Sequence, residues 1–211
     1  MTKFDSGDVA VRKRNRLPHW DSTHGIYFVT WHIDDALPLP VQQALRQERD
    51  YERHRISVDR RAFTIADRVT LNLALQRKYE KILDAGLGRC VLRNPSCASI
   101  VAGAIEFFND ERYQLYSWSV MPNHVHVVLS CLNAATIDRV LHSWKSYTSK
   151  EINKVLGRSG VLWQEDYFDR LARDDRHFLR ILSYVLNNPA KAGLTNWQFA
   201  KSYPERIAAI V

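Results

Sequence analysis

The chain has 211 residues, 45% of them hydrophobic and 25% charged, which excludes wholesale disorder and favours one domain with elaborations over two equal ones. Thirty Lys and Arg against 23 Asp and Glu leave a net charge of +7, a balance that points to an anionic partner, nucleic acid ahead of membrane. Three cysteines without CxxC spacing give neither a disulfide framework nor a zinc knuckle, and no 18-residue apolar run exists. The expectation is a cytoplasmic protein with reduced thiols and no membrane contact.

Residues 1–16 end in the basic cluster Arg12, Lys13, Arg14 and Arg16 with no apolar periodicity, and are expected to form a basic arm near a phosphate backbone. The rest, 17–211, is expected to be one domain. Ile26 to Ile33 is β-branched and aromatic on both faces, a central strand. The charged, helix-forming stretch within about 35–62 reads as a helical insertion on the domain surface. From Thr64 the apolar residues take helical spacing until Gly86 and Gly88 stop them. Asn94-Pro95 opens a second helix that leaves at Asn109-Asp110.

Gln114 to Val120 and His124 onward are two strands joined by the turn formers Met121-Pro122-Asn123. In the second strand His124 and His126 share one face and Val125, Val127 and Leu129 the other. The expectation is an apolar face turned inward and two imidazoles looking out as a pair of metal ligands. Thr136 to Leu156 is an amphipathic helix with His142, Lys145, Lys150 and Lys154 on its outer face. An aromatic run, Val161 to Ala172, suits an edge strand. A last helix begins at Asp174 or Asp175, whose carboxylates suit an N-terminus, and Pro189 and Gly193 close it. Its Tyr184 and Asn188 are one turn apart on one face. The tail, with Trp197 and Tyr203, is expected to pack back on the domain.

This order gives an α+β fold, a ferredoxin/RRM-like split β-α-β sandwich. An antiparallel sheet has helices on one face and an added C-terminal helix carrying the tyrosine. On spacing alone Asn188 can supply a third metal ligand and Tyr184 a phenol beside the ion. Tyr147 and Tyr167 are rival nucleophiles, one beside Lys145 and Lys150 and the other in the aromatic run where packing is its expected role.

MPNHVHVVLS, SYVLNNPAKAGL, RNRLPHWDSTHGIYFVTWHI, KILDAGLGRC and VLWQEDYFDR together resemble the REP-associated tyrosine transposases, within the single-tyrosine HUH transposase superfamily. The resemblance runs from about Arg14 to Trp197. It implies that His124 and His126 bind a divalent metal, Mg²⁺ or Mn²⁺, and that Tyr184 attacks single-stranded DNA near hairpins, leaving a 5′-phosphotyrosine and a free 3′-hydroxyl. Related enzymes complete the metal site with a glutamine where this chain has Asn188. The absence of a GxxxxGK[ST] phosphate loop agrees with chemistry that needs no ATP. Arg170 and Arg173, with Lys145, Lys150 and the basic arm, are the phosphate-contact candidates, whereas Trp163 is expected to be core. Relatives include monomers and homodimers. The competing readings are a domesticated hairpin-binding protein with little catalysis and a metal phosphoesterase that activates water.

Overall fold

The structure is a computed structural model that describes residues 10–14, 17–21, 25–58, 74 and 78–211. Five strands, β3 (Ile26–His32), β4 (Tyr113–Val120), β5 (His124–Cys131), β6 (Phe168–Leu171) and β7 (Ala200–Ser202), form one antiparallel sheet. Their order across it is β6-β3-β5-β4-β7. β5 is the middle strand, and every residue of β3 is buried. This agrees with the two apolar faces of Ile26 to Ile33, because a strand covered on both sides needs no polar alternation.

Two helices cover one face of the sheet. α3 (Pro95–Phe107) starts at Asn94, whose side chain accepts from the Ser96 amide, and α4 (Ile137–Val155) is capped by Thr136. Their Val101, Ile105, Val140 and Trp144 bury against Val29, Trp31, Val125, Val127 and Leu129. Trp31 stacks on Trp144 at 5.5 Å. Trp163 is core as expected, its indole N–H donating to Thr148 Oγ1 at 2.9 Å. Tyr167 is packed too, and its phenol donates to Asp138. On the opposite face lies α5 (Asp175–Lys191), whose Phe178, Ile181, Leu182 and Val185 bury against Ile26, Phe28, Tyr116 and Val128. Each such side chain contributes roughly 1.5–3 kcal/mol of transfer free energy, so α5 is fixed by its own apolar stripe. Asp174 caps it, accepting from the His177 amide at 2.6 Å. The helix runs past Pro189 for two more residues, since a proline in the last turn removes one backbone bond without stopping the helix.

β4 carries a bulge between Leu115 and Ser117. The tail packs back as expected: β7 pairs with β4, the Trp197 indole donates to the Val120 carbonyl at 2.7 Å, and Tyr203 donates to Glu106. It ends in the short α6 (Pro204–Ala208).

Residues 10–14 of the expected basic arm are in a strand. β1 (Ala10–Arg14) pairs in antiparallel register with β2 (Leu17–Asp21), which lies beside β6. Only Asn15 and Arg16 separate the two strands, so a hairpin ladder satisfies backbone groups without any apolar periodicity. The expected insertion holds α1 (Leu39–Val58). Of the helix expected from Thr64, residues 64–73 and 75–77 lie outside the described residues. Its last part, 78–84, is helical and is called α2. No helix among the described residues is long and apolar enough to cross a membrane.

Candidate metal centre and nucleophile

β5 alternates across the sheet, so His124 and His126 share the α5 face with Val128. The expectation that the imidazoles look out is corrected: both are fully buried, because α5 closes over them. Their Nε2 atoms are 3.0 Å apart.

The hydrogen-bond network fixes which nitrogen carries each proton. Asn123 donates its amide Nδ2 to the Leu87 carbonyl at 2.9 Å, which turns its Oδ1 toward His124 Nδ1 at 2.7 Å. A carbonyl oxygen only accepts, so His124 is protonated at Nδ1 and presents a lone pair at Nε2. Asn188 donates Nδ2 to His126 Nε2 at 2.9 Å, so that nitrogen also carries a lone pair and Nδ1 donates to Thr30 Oγ1 at 2.8 Å. Both rings stay neutral. Burial above all, and then the neighbouring imidazoles, holds the His124 pKa well below the usual histidine range, while burial and then Arg170 push His126 down to about 3.

Two lone pairs therefore face each other across 3.0 Å with no proton to share. Donors about 2.1 Å from one cation and at right angles to each other lie about 3.0 Å apart. The arrangement fits a divalent ion.

A carboxylate completes the group. Asp84, the last residue of α2, brings Oδ1 to 3.6 Å from His124 Nε2, and Asp84, His124 and His126 form one cluster able to hold a metal. Asp84 Oδ1 and Asn188 Oδ1 are both buried without a hydrogen-bond partner among the described residues, so both oxygens are available as ligands. Burial raises the Asp84 pKa, while Asn188 and Lys191 oppose that shift. His32 lies directly across from His124 in the β3–β5 register and donates Nδ1–H to the Ile33 carbonyl at 2.8 Å.

Tyr184 reaches this centre within the same chain. Its ring stands edge-on to His126 at 5.2 Å and to Phe28 at 5.9 Å, and its hydroxyl is buried without a partner among the described residues. Burial raises its pKa first, the Glu80 and Asp84 carboxylates raise it further, and Asn188 and Arg170 pull it down. Glu80 is one helical turn before Asp84 on α2 and nearly buried.

Of the sequence candidates, His124, His126, Asn188 and Tyr184 converge, and Arg170 lies beside them with its guanidinium 4.6 Å from the Phe28 ring. Arg173 is exposed just before α5. Lys145 and Lys150 do not converge, because α4 covers the other face of the sheet. Lys145 Nζ moreover donates to the carbonyls of Gln164, Glu165 and Asp166 at 2.8–3.0 Å, which uses all three of its protons. Tyr147 and Tyr167 belong to that far side as well, Tyr147 on α4 and Tyr167 packed against it. Arg12 and Arg14 are on β1, their side chains outside the described residues, as is the whole of Arg16. Sequence reasoning missed Asp84, Glu80, His32 and the role of Asn123. The available signals were a carboxylate just before the positive-φ glycines Gly86 and Gly88, and an asparagine next to a His-x-His strand.

No curated protein matches the chain. Among solved structures, it is similar to a REP-associated tyrosine transposase bound to a REP hairpin, with 13% identity, 95% of this chain and 88% of that chain covered, and a TM-score of 0.48. It is also similar to a protein of Deinococcus radiodurans R1 described as a transposase by assignment, with 14% identity, 84% and 98% coverage, and a TM-score of 0.32. The family described as "Transposase IS200 like" matches residues 91–188, a stretch that holds His124, His126, Tyr184 and Asn188 and leaves Asp84 outside. Over those residues, the chain is similar to the IS200-like transposases.

Proposed function

We propose that the chain is a transposase that nicks and rejoins single-stranded DNA near hairpins, with Tyr184 as nucleophile and His124, His126, Asp84 and Asn188 as the residues that hold a divalent ion, Mg²⁺ or Mn²⁺. The observation that carries this reading is the pair of opposed Nε2 lone pairs at 3.0 Å with an unpartnered phenol packed against one of the two rings. The family match over residues 91–188 supports DNA as the substrate. Carboxylate and amide oxygens beside the imidazoles suit a hard ion better than two nitrogens alone. Bound there, the ion supplies positive charge to the scissile phosphate.

The protein's own part is orientation. His126 and Phe28, stacked on each other, both meet the Tyr184 ring edge-on and fix where its hydroxyl sits. In the reaction a bond forms between Tyr184 Oη and phosphorus and the bond from phosphorus to O3′ breaks. The phenol gives up its proton and the departing 3′ oxygen gains one. One phosphodiester replaces another, so the 5′-phosphotyrosine keeps the energy needed to join a second 3′-end. Burial and the two carboxylates keep the free phenol protonated until phosphate arrives. Nucleophile and ligands come from one chain, which allows a monomer to carry the chemistry.

The test is incubation of end-labelled single-stranded hairpin oligonucleotides with the protein and Mn²⁺ or Mg²⁺, read on denaturing gels. A denaturant-resistant adduct in wild type that is lost in Tyr184→Phe supports the assignment. Metal-dependent cleavage without an adduct, unchanged by Tyr184→Phe, would refute it in favour of a metal phosphoesterase. Tight binding without cleavage would refute it in favour of a hairpin-binding protein.

A further inference from the structure

Tyr184 lies on α5, and the exposed edge of that helix is cationic. Arg176 and Arg180 precede Tyr184 by eight and four residues, so they lie on successive turns of the same edge, about 6 Å apart along the axis. Lys191 follows it by seven, and its Nζ is 5.6 Å from the centre of the Tyr184 ring. All three side chains are exposed, and none has an ion pair among the described residues. The acidic groups near this edge are Asp174, which spends its carboxylate capping the helix, Asp175, about 100° around the helix from Arg176, and Glu80 and Asp84 beside Tyr184, with Lys191 acting on Asp84.

Other cations crowd the same end. Arg170, Arg173 and Arg180 each add to burial in pushing His177 down to about 4, which places the three guanidinium groups around one point of α5. On α4, by contrast, Lys145 is bound to carbonyls and Lys154 is paired with Glu151 at 2.7 Å. That helix is also separated from Tyr184 by the sheet.

We propose that a single strand of DNA lies along the exposed edge of α5, its phosphates held by Arg176 and Arg180 on one side of Tyr184 and by Lys191 on the other. This deepens the reading of Tyr184 as the residue that attacks DNA, and rests on it for the position of the scissile phosphate. The turn-by-turn spacing of the cations is comparable with the separation of successive phosphates in an extended strand, and a positive track of this kind grips the backbone without reading sequence. The strand enters over the β6–α5 end and leaves past Lys191, so the two flanks of the cleavage point meet different residues.

The test is fluorescence anisotropy of a labelled single-stranded oligonucleotide with the full-length chain over a range of salt. The variants are Arg176→Glu/Arg180→Glu and its milder form Arg176→Gln/Arg180→Gln. Arg139→Glu, an exposed position on α4, removes the same net charge as the Gln pair and controls for it. Affinity is expected to fall by at least about tenfold in the Glu pair, and the Gln pair, which leaves two phosphates without a cation, should lower the salt slope by about 1.4. Arg139→Glu should stay within about twofold of wild type.

Circular dichroism establishes that each variant is folded, and the Gln pair carries the test if the Glu pair is not. Unchanged affinity and slope, or an equal loss from Arg139→Glu, overturns the track. The adduct assay separates the two claims. An adduct in wild type together with unchanged binding in the variants leaves Tyr184 in place and removes the track. Weakened binding in the variants without an adduct in wild type supports the track and removes the nucleophile.

Discussion

Asn123 offers the sharpest perturbation of the metal centre because it touches no reacting group. It is 1% exposed and uses both ends of its amide, donating to Leu87 at 2.9 Å and accepting from His124 at 2.7 Å. Asn123→Ala strands a carbonyl oxygen and an imidazole N–H, at about 1–3 kcal/mol each, so the fold should lose roughly 2–6 kcal/mol. His124 would also be free to move its proton to Nε2, the atom that faces the ion. Loss of such an orienting partner typically weakens metal affinity about 10–100-fold. Asn123→Asp separates the effects: its carboxylate still accepts from His124 but cannot donate to Leu87, so metal affinity should recover more than stability. Calorimetric titration with Mn²⁺, alongside urea unfolding of the metal-free proteins, measures both. A folded Asn123→Ala protein that binds Mn²⁺ within about twofold of wild type would refute the tautomer argument.

Stability should fall as the solution is acidified. Burial pushes His126 down to about 3 and His177 to about 4, and lowers His124 and His32 as well. The unfolded chain therefore binds more protons than the folded one below the ordinary histidine range, and stability that is full above a pH of about 6.5 drains away toward about 3. His126 alone contributes at most roughly 5 kcal/mol to that loss. Urea midpoints measured across this range should decline, less steeply in His126→Gln, and a flat profile would contradict the burial of neutral rings. Gly88→Ala probes the turn behind Asp84. Gly88 has φ +81°, and a Cβ there would collide with the Asp35 carbonyl oxygen. A loss of about 1–3 kcal/mol with weakened Mn²⁺ binding is expected, and calorimetry showing neither would remove that turn from the account.

Much of this architecture could be read from spacing, because local periodicity decides it. The two-residue step of His124 and His126 set their common face, and the four-residue step of Tyr184 and Asn188 set theirs. Capping side chains at Asn94, Thr136 and Asp174 marked helix starts that the structure reproduces. What spacing could not supply was anything that depends on which elements meet. The imidazoles were expected to face outward because nothing in β5 announces that α5 will cover them. Asp84 is 40 residues from His124, and a single carboxylate at a helix end has no pattern of its own. His32 joins the cluster only through the β3–β5 register. Lys145 looked like a surface cation, and only the return of residues 164–166 beneath α4 turns its charge inward.

The bulge in β4 works like an inserted letter that restores a reading frame. Before it, Leu115 stands opposite Leu129; after it, Ser117 stands opposite Val128 and Ser119 opposite His126. Tyr116 and Ser117 thus look to the same side of the sheet in succession, and the alternation resumes with the small serine beside the imidazole and Trp118 on the other side, where its indole donates to Glu106 at 2.7 Å. A ladder that ran on from Leu115 and Leu129 without the bulge would set Tyr116 opposite Val128 and Trp118 opposite His126, filling with indole the space the ion needs. The extra residue is therefore a point of slack in the strand: a single-codon deletion at Tyr116 would give a plain ladder and leave Ser119 still opposite His126.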